Sequence, residues 1–285
     1  MQPPHVLFRM VFVGDITMTS TVGRNVARQA RGLPVDVAAG YPFGGVSKHF
    51  AAADLLVGNL ECVASPLGRH ATPDHPLRCP VLALDALKQA GFDVLGVANN
   101  HALDYGHDAF RDQLTNIEAS GLAHVGAASV EYQPQRATIW EHDGQRVGML
   151  AYYHPPQAPF SDVHAARAEV DWLVIYNHWG REDQVEPMPQ QRELAHGLID
   201  AGADLVVGTH AHVVQPTEWY QGKLIAYGLG NFMFDAAPLT AARRHGALLE
   251  VDALSDHSVD FRMLDIRIDD DFAPIVVANA KSRYR

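Results

Sequence analysis

The clearest signal along the chain is a set of short, nearly continuous apolar runs. Met10–Val13, Asp54–Val57, Phe92–Val97, Asp171–Tyr176 and Ala203–Val207 are rich in Val, Ile and Leu. Runs without polar alternation suit strands buried on both faces. Between several of them the apolar spacing turns helical. Leu82–Ala90, His107–Ser120 and Gln190–Ala201 each stop at a glycine (Gly91, Gly121, Gly202), the residue that most readily takes left-handed backbone after a helix. Strand–helix–strand order with glycine stops predicts an α/β protein.

Two further regions break a purely parallel pattern. Thr138–Trp140 and Val147–Tyr152 flank Asp143-Gly144, a tight-turn dipeptide, and predict a hairpin. The C-terminal third adds strands at Leu224–Tyr227, Ala247–Val251, Val259–Ile268 and Pro274–Ala278. The expected architecture is a mixed sheet or two packed sheets with helices outside, in one domain spanning residues 1–285. Two stretches read as long loops: proline-rich Cys62–Pro80, and His154 to about His164. Loops of that length in a compact domain are often functional.

Composition narrows the function. The chain has 285 residues, 47% apolar and 19% charged, with a net charge of −11. That acidity argues against a broad nucleic-acid or anionic-membrane surface. No run reaches the roughly 18 apolar residues of a membrane helix. The start, Met1-Gln2-Pro3-Pro4-His5, has no basic segment, and Arg9 interrupts the apolar run that follows. No signal peptide is expected, and the cytoplasm is the default location. Cys62 and Cys79 are too few for a disulfide framework; the two could pair, but buried thiols in a reducing compartment are the expectation. The 16 histidines stand out, histidine being the commonest metal ligand and a proton carrier at neutral pH.

The chemistry collects where the five core runs end. They lead into Gly14-Asp15, Gly58-Asn59-Leu60-Glu61, Ala98-Asn99-Asn100-His101, Asn177-His178-Trp179-Gly180 and Gly208-Thr209-His210-Ala211-His212. In open α/β sheets, sites form outside the carboxyl ends of the strands. If the five strands are parallel neighbours, Asp15, Glu61, Asn100, His101, His178, His210 and His212 converge. Each piece alone is ordinary: Gly-Asp after a strand is usually a turn, and a loop glutamate is usually solvated. The set is not ordinary, because buried carboxylates and imidazoles need partners, and a divalent metal satisfies several together. Mixed oxygen and nitrogen donors suit Mn, Fe or Zn. The set is large enough for two ions bridged by a carboxylate, about 3.5–4 Å apart.

These blocks, in this order, resemble the bacterial capsule-synthesis CapA family associated with poly-γ-glutamate production. The resemblance extends through Asn99-Asn100-His101-Ala102-Leu103-Asp104-Tyr105-Gly106, Gln215-Pro216, Gly222-Lys223-Leu224-Ile225 and Leu229-Gly230-Asn231-Phe232, and covers roughly residues 8–235. It implies a calcineurin-like metallophosphoesterase fold, a four-layer α/β/β/α sandwich with mixed sheets and a metal site at one edge. By the same resemblance, Asp15 and His212 would bind one metal, Asn100, His178 and His210 a second, and Glu61 would bridge. His101 would move protons without ligating. Asp104 either orients His101 or caps a helix. Trp179 and Asn231 would contact substrate, although an aromatic residue at a strand exit is more often core.

One position departs from the wider superfamily. Where Asp-x-His is usual, this chain has Thr17, which removes an imidazole from the first metal and brings a single ion, or a harder one such as Mg or Ca, into consideration. Family members in capsule export are typically membrane-anchored, and no anchor is read in this sequence.

Three functions fit. The first is hydrolysis of a phosphoester by metal-activated water, with His101 as proton donor. The second is modification of a peptide, by epimerisation or γ-glutamyl processing, with His101 taking a Cα proton. The third is a non-catalytic role in polymer synthesis. The substrate would be a small molecule or a peptide, with no nucleic acid involved. Arg24, Lys48, Arg69 and Arg181 are the basic residues considered for phosphate contact. Gly-x-Ser-x-Gly and phosphate-loop motifs are absent from the sequence.

Overall fold

A computed structural model describes residues 3–70, 75–154, 159–236 and 239–277. From the N-terminus, β1 (Val6–Ile16) leads to α1 (Thr21–Ala30), α2 (Ser47–Phe50), β2 (Leu55–Leu60), α3 (Leu82–Ala90), β3 (Val94–Gly96), α4 (Gly106–Ala119) and β4 (Ala123–Val125). There follow α5 (Ala127–Val130), β5 (Thr138–His142), β6 (Gln145–Tyr153), α6 (Phe160–Arg167), β7 (Trp172–His178), α7 (Pro189–Asp200) and β8 (Leu205–Thr209). The chain continues through β9 (Thr217–Tyr220), β10 (Lys223–Ala226), β11 (Asn231–Met233), β12 (His245–Leu254), β13 (Val259–Ile268) and β14 (Pro274–Val276).

The strands form two mixed sheets. The first has the order β14-β13-β12-β1-β2-β3-β4, with β11 also paired to β1; the second is β5-β6-β7-β8-β10-β9. β1 to β4 run parallel, as do β6, β7, β8 and β10. The five core runs are therefore split between two sheets, three in one and two in the other. Their ends meet across a sandwich edge and not along one open sheet.

Strand alternation explains the layers. In β7, Trp172, Val174 and Tyr176 join the large core between the sheets, whereas Leu173 and Ile175 join a second core under α6 and α7. β8 and β10 divide the same way: Leu205, Val207, Leu224 and Ala226 face inward, while Val206 and Ile225 face the helices. Such two-sided burial is why these runs lack polar alternation. Phe8 meets Trp172 edge-on with ring centroids 5.8 Å apart, and the Tyr176 hydroxyl crosses to the Val13 carbonyl at 2.6 Å. The inter-sheet core thus carries directional contacts as well as apolar area.

Most expected elements appear close to their predicted bounds. α3 covers the predicted residues, and Gly91 takes φ +103 as its left-handed stop. The predicted hairpin is β5–β6, with Asp143 and Gly144 both at positive φ, the turn that matches strand twist. The second predicted loop contains α6, and residues 155–158 lie outside the described residues. So do residues 71–74 of the first loop and position 278, the end of the last predicted strand.

The thiol expectation is corrected. Cys62 and Cys79 form a disulfide, with Cα atoms 5.8 Å apart, a spacing typical of such bonds. A separation of 17 residues in sequence carries no information about that distance.

Candidate metal centre

The site begins with a bulge. The β1–β2 register shifts between Phe12 and Asp15, so Gly14 is pressed against the 229–230 backbone. A Cβ at position 14 would overlap the Gly230 carbonyl oxygen, to which the Asp15 amide donates at 3.0 Å. Bulges re-aim side chains next to sites, and here the carboxylate of Asp15 points to the sandwich edge with no solvent exposure. Asn59 on β2 and Asn231 on β11 sit in register on either side of Asp15.

Asp15 accepts from the Asn59 side-chain amide at 2.8 Å and from the His210 backbone amide at 3.1 Å. Its Oδ2 lies 3.4 Å from His212 Nδ1. His210 and His212 leave β8 with φ of +88 and +56. Left-handed backbone is uncommon away from glycine, and two such residues flanking Ala211 turn both imidazoles toward Asp15 and Glu61. Gly208 permits the approach, since a Cβ there would strike the Tyr227 carbonyl and the Trp179 indole.

His178, at the end of β7, is 1% exposed. Thr209 Oγ1 and Asn59 Nδ2 flank its Nδ1 at 2.9 and 3.1 Å. Its Nε2 faces Asn100 Oδ1 at 2.8 Å, His210 Nδ1 at 3.0 Å and Glu61 Oε1 at 3.5 Å. Holding one ring nitrogen fixes which nitrogen is offered to an ion. The two imidazole nitrogens lie 3.0 Å apart, close enough for both to be offered to one ion.

Glu61 is fully buried, and neither carboxylate oxygen has a hydrogen-bond partner. Two sets of donor atoms, each mutually within 4.8 Å, share it: Glu61 with His178 and His210, and Asp15 with Glu61 and His212. Buried, unpaired carboxylate oxygens are costly unless something positive meets them. The residues therefore fit a divalent ion at each set, with Asn100 beside the histidine-rich one.

The electrostatics favour free lone pairs at His178 and His210. Burial, then the neighbouring Asp15 charge, raises Glu61 well above the usual carboxylate range. Burial, helped by the surrounding histidines, holds His178 neutral, and burial lowers His210 to about 4. Neutral imidazoles offer lone pairs to a metal. Burial would lower His212 too, but Glu61 and Asp15 outweigh it and push it up to about 9.

His101 stands beside this cluster. Its Nδ1 is 2.8 Å from Asp104 Oδ2, and its Nε2 is 4.0 Å from Glu61 Oε1. The same Asp104 oxygen accepts the Leu77 amide at 2.7 Å. Asp104 does not cap α4, which has no side-chain cap.

The two residues expected to contact substrate are both buried. Trp179 is 2% exposed and lies in the second core, donating to the Tyr227 carbonyl at 2.9 Å. Asn231 is fully buried; its Oδ1 meets His212 Nδ1 at 2.9 Å and its Nδ2 donates to the Arg243 carbonyl at 3.0 Å. It orients an imidazole. Thr17 is also buried, accepting the Asp235 amide at 2.9 Å. Arg24, Lys48, Arg69 and Arg181 are all exposed.

Four residues near the cluster were not anticipated. Asn59 was legible, since it stands on β2 two positions before Glu61, which follows the strand directly. Asn99 donates to Asn59 Oδ1 and to the Leu60 carbonyl at 3.2 and 2.9 Å. Tyr153 ends β6, which pairs with β7 in register Tyr153–His178, and His154 follows it. The His154 ring lies 5.1 Å from that of His210. A cavity of about 560 Å³ opens between Asn100, Tyr153 and His154. A larger groove of about 1140 Å³, between α1 and α3, is lined by none of the candidate ligands.

The fold is metallophosphoesterase-like. The chain superposes on a putative 5′-nucleotidase from Staphylococcus aureus, solved with α-ketoglutarate, with a TM-score of 0.51, 12% identity and coverage of 94% of this chain and 54% of that one. The chain belongs to the family described as bacterial capsule synthesis protein PGA_cap, whose model matches residues 9–160 and 155–236. It is 33% identical over 245 residues to the PGA biosynthesis protein CapA of Bacillus subtilis (strain 168), covering 79% of this chain and 62% of that protein. It is 30% identical over 253 residues to the capsule biosynthesis protein CapA of Bacillus anthracis, covering 79% and 59%. The chain thus spans about three fifths of the length of these relatives.

Proposed function

We propose that the protein is a metal-dependent hydrolase of phosphoesters. In this reading Asp15, Glu61 and His212 hold one divalent ion, and Glu61, Asn100, His178 and His210 hold a second. The observation that supports it most is Glu61, buried, without a hydrogen bond at either oxygen, and common to both donor sets. The set with two imidazoles suits Mn, Fe or Zn; the set with two carboxylates also suits Mg or Ca. Bound ions supply positive charge at the phosphoryl oxygens and a more acidic water.

The chain's own residues do the rest. Asp104 holds His101 through Nδ1, which leaves Nε2 facing the cluster to protonate the leaving oxygen. Asn59 and Thr209 fix the His178 ring, and Asn231 fixes that of His212. The test is hydrolysis of phosphomonoesters and phosphodiesters by protein loaded with each ion. Turnover that is lost with chelator and with His210→Ala supports the reading; turnover indifferent to both contradicts it.

The relatives carry names of PGA and capsule biosynthesis, and a second reading is modification of a γ-glutamyl peptide, with His101 moving a Cα proton. Deuterium uptake from solvent into a peptide substrate distinguishes it, because phosphoester hydrolysis exchanges no carbon-bound proton. Metal binding without turnover of either kind is the outcome expected of an accessory subunit. No helix among the described residues is long and apolar enough to cross a membrane. The Cys62–Cys79 disulfide weighs against the cytoplasmic location expected above, since thiols there are kept reduced.

A further inference from the structure

The cavity beside Asn100 has a composition of its own. At about 560 Å³ it falls in the range of small-molecule sites. One wall is Asn100, whose Oδ1 contacts His178, and Tyr153 and His154, whose rings lie beside His210. Further walls bring Tyr152, Gln133 and Asp162 to the same space. Among the described residues lining it there is no lysine or arginine, and Asp162 is the carboxylate.

Two polar groups there have capacity left. Asp162 Oδ2 accepts the Gln135 amide at 3.1 Å, and an ionised carboxylate has room for about four such bonds. The Tyr152 hydroxyl, on a residue 4% exposed, has the Asp162 carboxylate as its hydrogen-bonding neighbour, and its oxygen keeps lone pairs for a further donor. An acceptor-rich, cation-free cavity stabilises a donor and repels an anion.

We propose that this cavity binds the tail of the substrate and selects a tail ending in an ammonium or other N–H donor, with Asp162 and Tyr152 receiving it while the anionic head sits at the metal centre. This rests on the metal-centre reading above. It defines the substrate class as a zwitterion, an anionic head joined to an amine. A chain carrying carboxylates at every step is a poor occupant, because each would face Asp162 with no compensating cation.

The test is calorimetric binding to Mn-loaded protein. Phosphate monoesters with tails of two to six carbons ending in ammonium, methyl or carboxylate are compared, beside ω-amino acids and dicarboxylates of the same lengths. At one length the ammonium tail should bind about tenfold tighter than methyl, as one charge-assisted hydrogen bond allows, and carboxylate weakest. Asp162→Asn, which keeps an acceptor for Gln135, should abolish the preference for the ammonium tail. Tyr152→Phe should reduce it in part. Head groups that bind with no tail preference, or a preference that survives Asp162→Asn in protein of unchanged melting temperature, overturn the pocket while sparing the metal centre. If no head group binds to protein shown to contain metal, both readings fall.

Discussion

The carboxylate of Asp104 lies 2.8 Å from Nδ1 of His101 and so turns the other ring nitrogen toward Glu61, 4.0 Å away. The pair stands three residues apart in the turn before α4, outside the two donor sets. This separates proton movement from metal holding. His101→Ala should therefore keep its metal and lose turnover by about 10²–10⁴-fold, the usual contribution of a positioned acid or base. Asp104→Asn should lose less. Elemental analysis beside a kinetic assay checks both; loss of metal in His101→Ala would make that residue a ligand.

Asp104 also receives the Leu77 amide. Asp104→Ala leaves that buried donor unpaired and should cost about 1–3 kcal/mol of stability. Asp104→Asn keeps an acceptor and should cost less. Denaturant unfolding of the two variants measures the difference.

The two donor sets differ in their ligands. His210→Ala strips one imidazole from the set that also has His178, and Asp15→Ala strips a carboxylate from the other. Each should lose about one ion and retain the other, whereas Glu61→Ala should lose both. Equal loss in all three variants would contradict two separable sites sharing Glu61.

Glu61 gives a crossed stability prediction. Without metal its carboxylate is buried beside Asp15, and that burial and charge disfavour ionisation. Glu61→Gln should therefore raise the melting temperature of chelated protein. With metal it removes a shared ligand and should lower it. For native protein, an ion at a hundred times its Kd adds about 2.7 kcal/mol. A melting temperature that is higher with Glu61→Gln in both states, or unaffected by chelator in native protein, contradicts a metal at Glu61.

Gly14→Ala tests how the site is aimed. The added Cβ meets the Gly230 carbonyl oxygen, which is backbone and cannot swing away. Overpacking of this kind costs about 1–3 kcal/mol or more, and any relief moves Asp15. The variant should melt lower and hold less metal, even though no ligand is changed.

The strand exits were legible because apolar runs end where polar chemistry begins, and the parallel order brings those ends together. The family resemblance implied the two-sheet sandwich, but which runs belong to which sheet was not legible, since inward and outward faces are both apolar in β7 and β8. Trp179 is buried for a related reason. It follows His178 on an alternating strand, so when the imidazole faces the site the indole faces the helices. Asn231 sits on β11, a strand of three residues defined only by pairing to β1. Tyr153 and His154 mark another strand exit, that of β6, next to β7 in the second sheet. The disulfide depends on a distance between loop residues that no periodicity encodes.

In the proposed site Glu61 is shared by two ions. Metal content of the purified, metal-replete protein tests it most directly, with Glu61→Ala measured beside it. About two ions per chain, falling to none in Glu61→Ala, is the expected result. Protein that takes up no metal under any loading condition, or a Glu61→Ala variant that keeps its full complement, would contradict it.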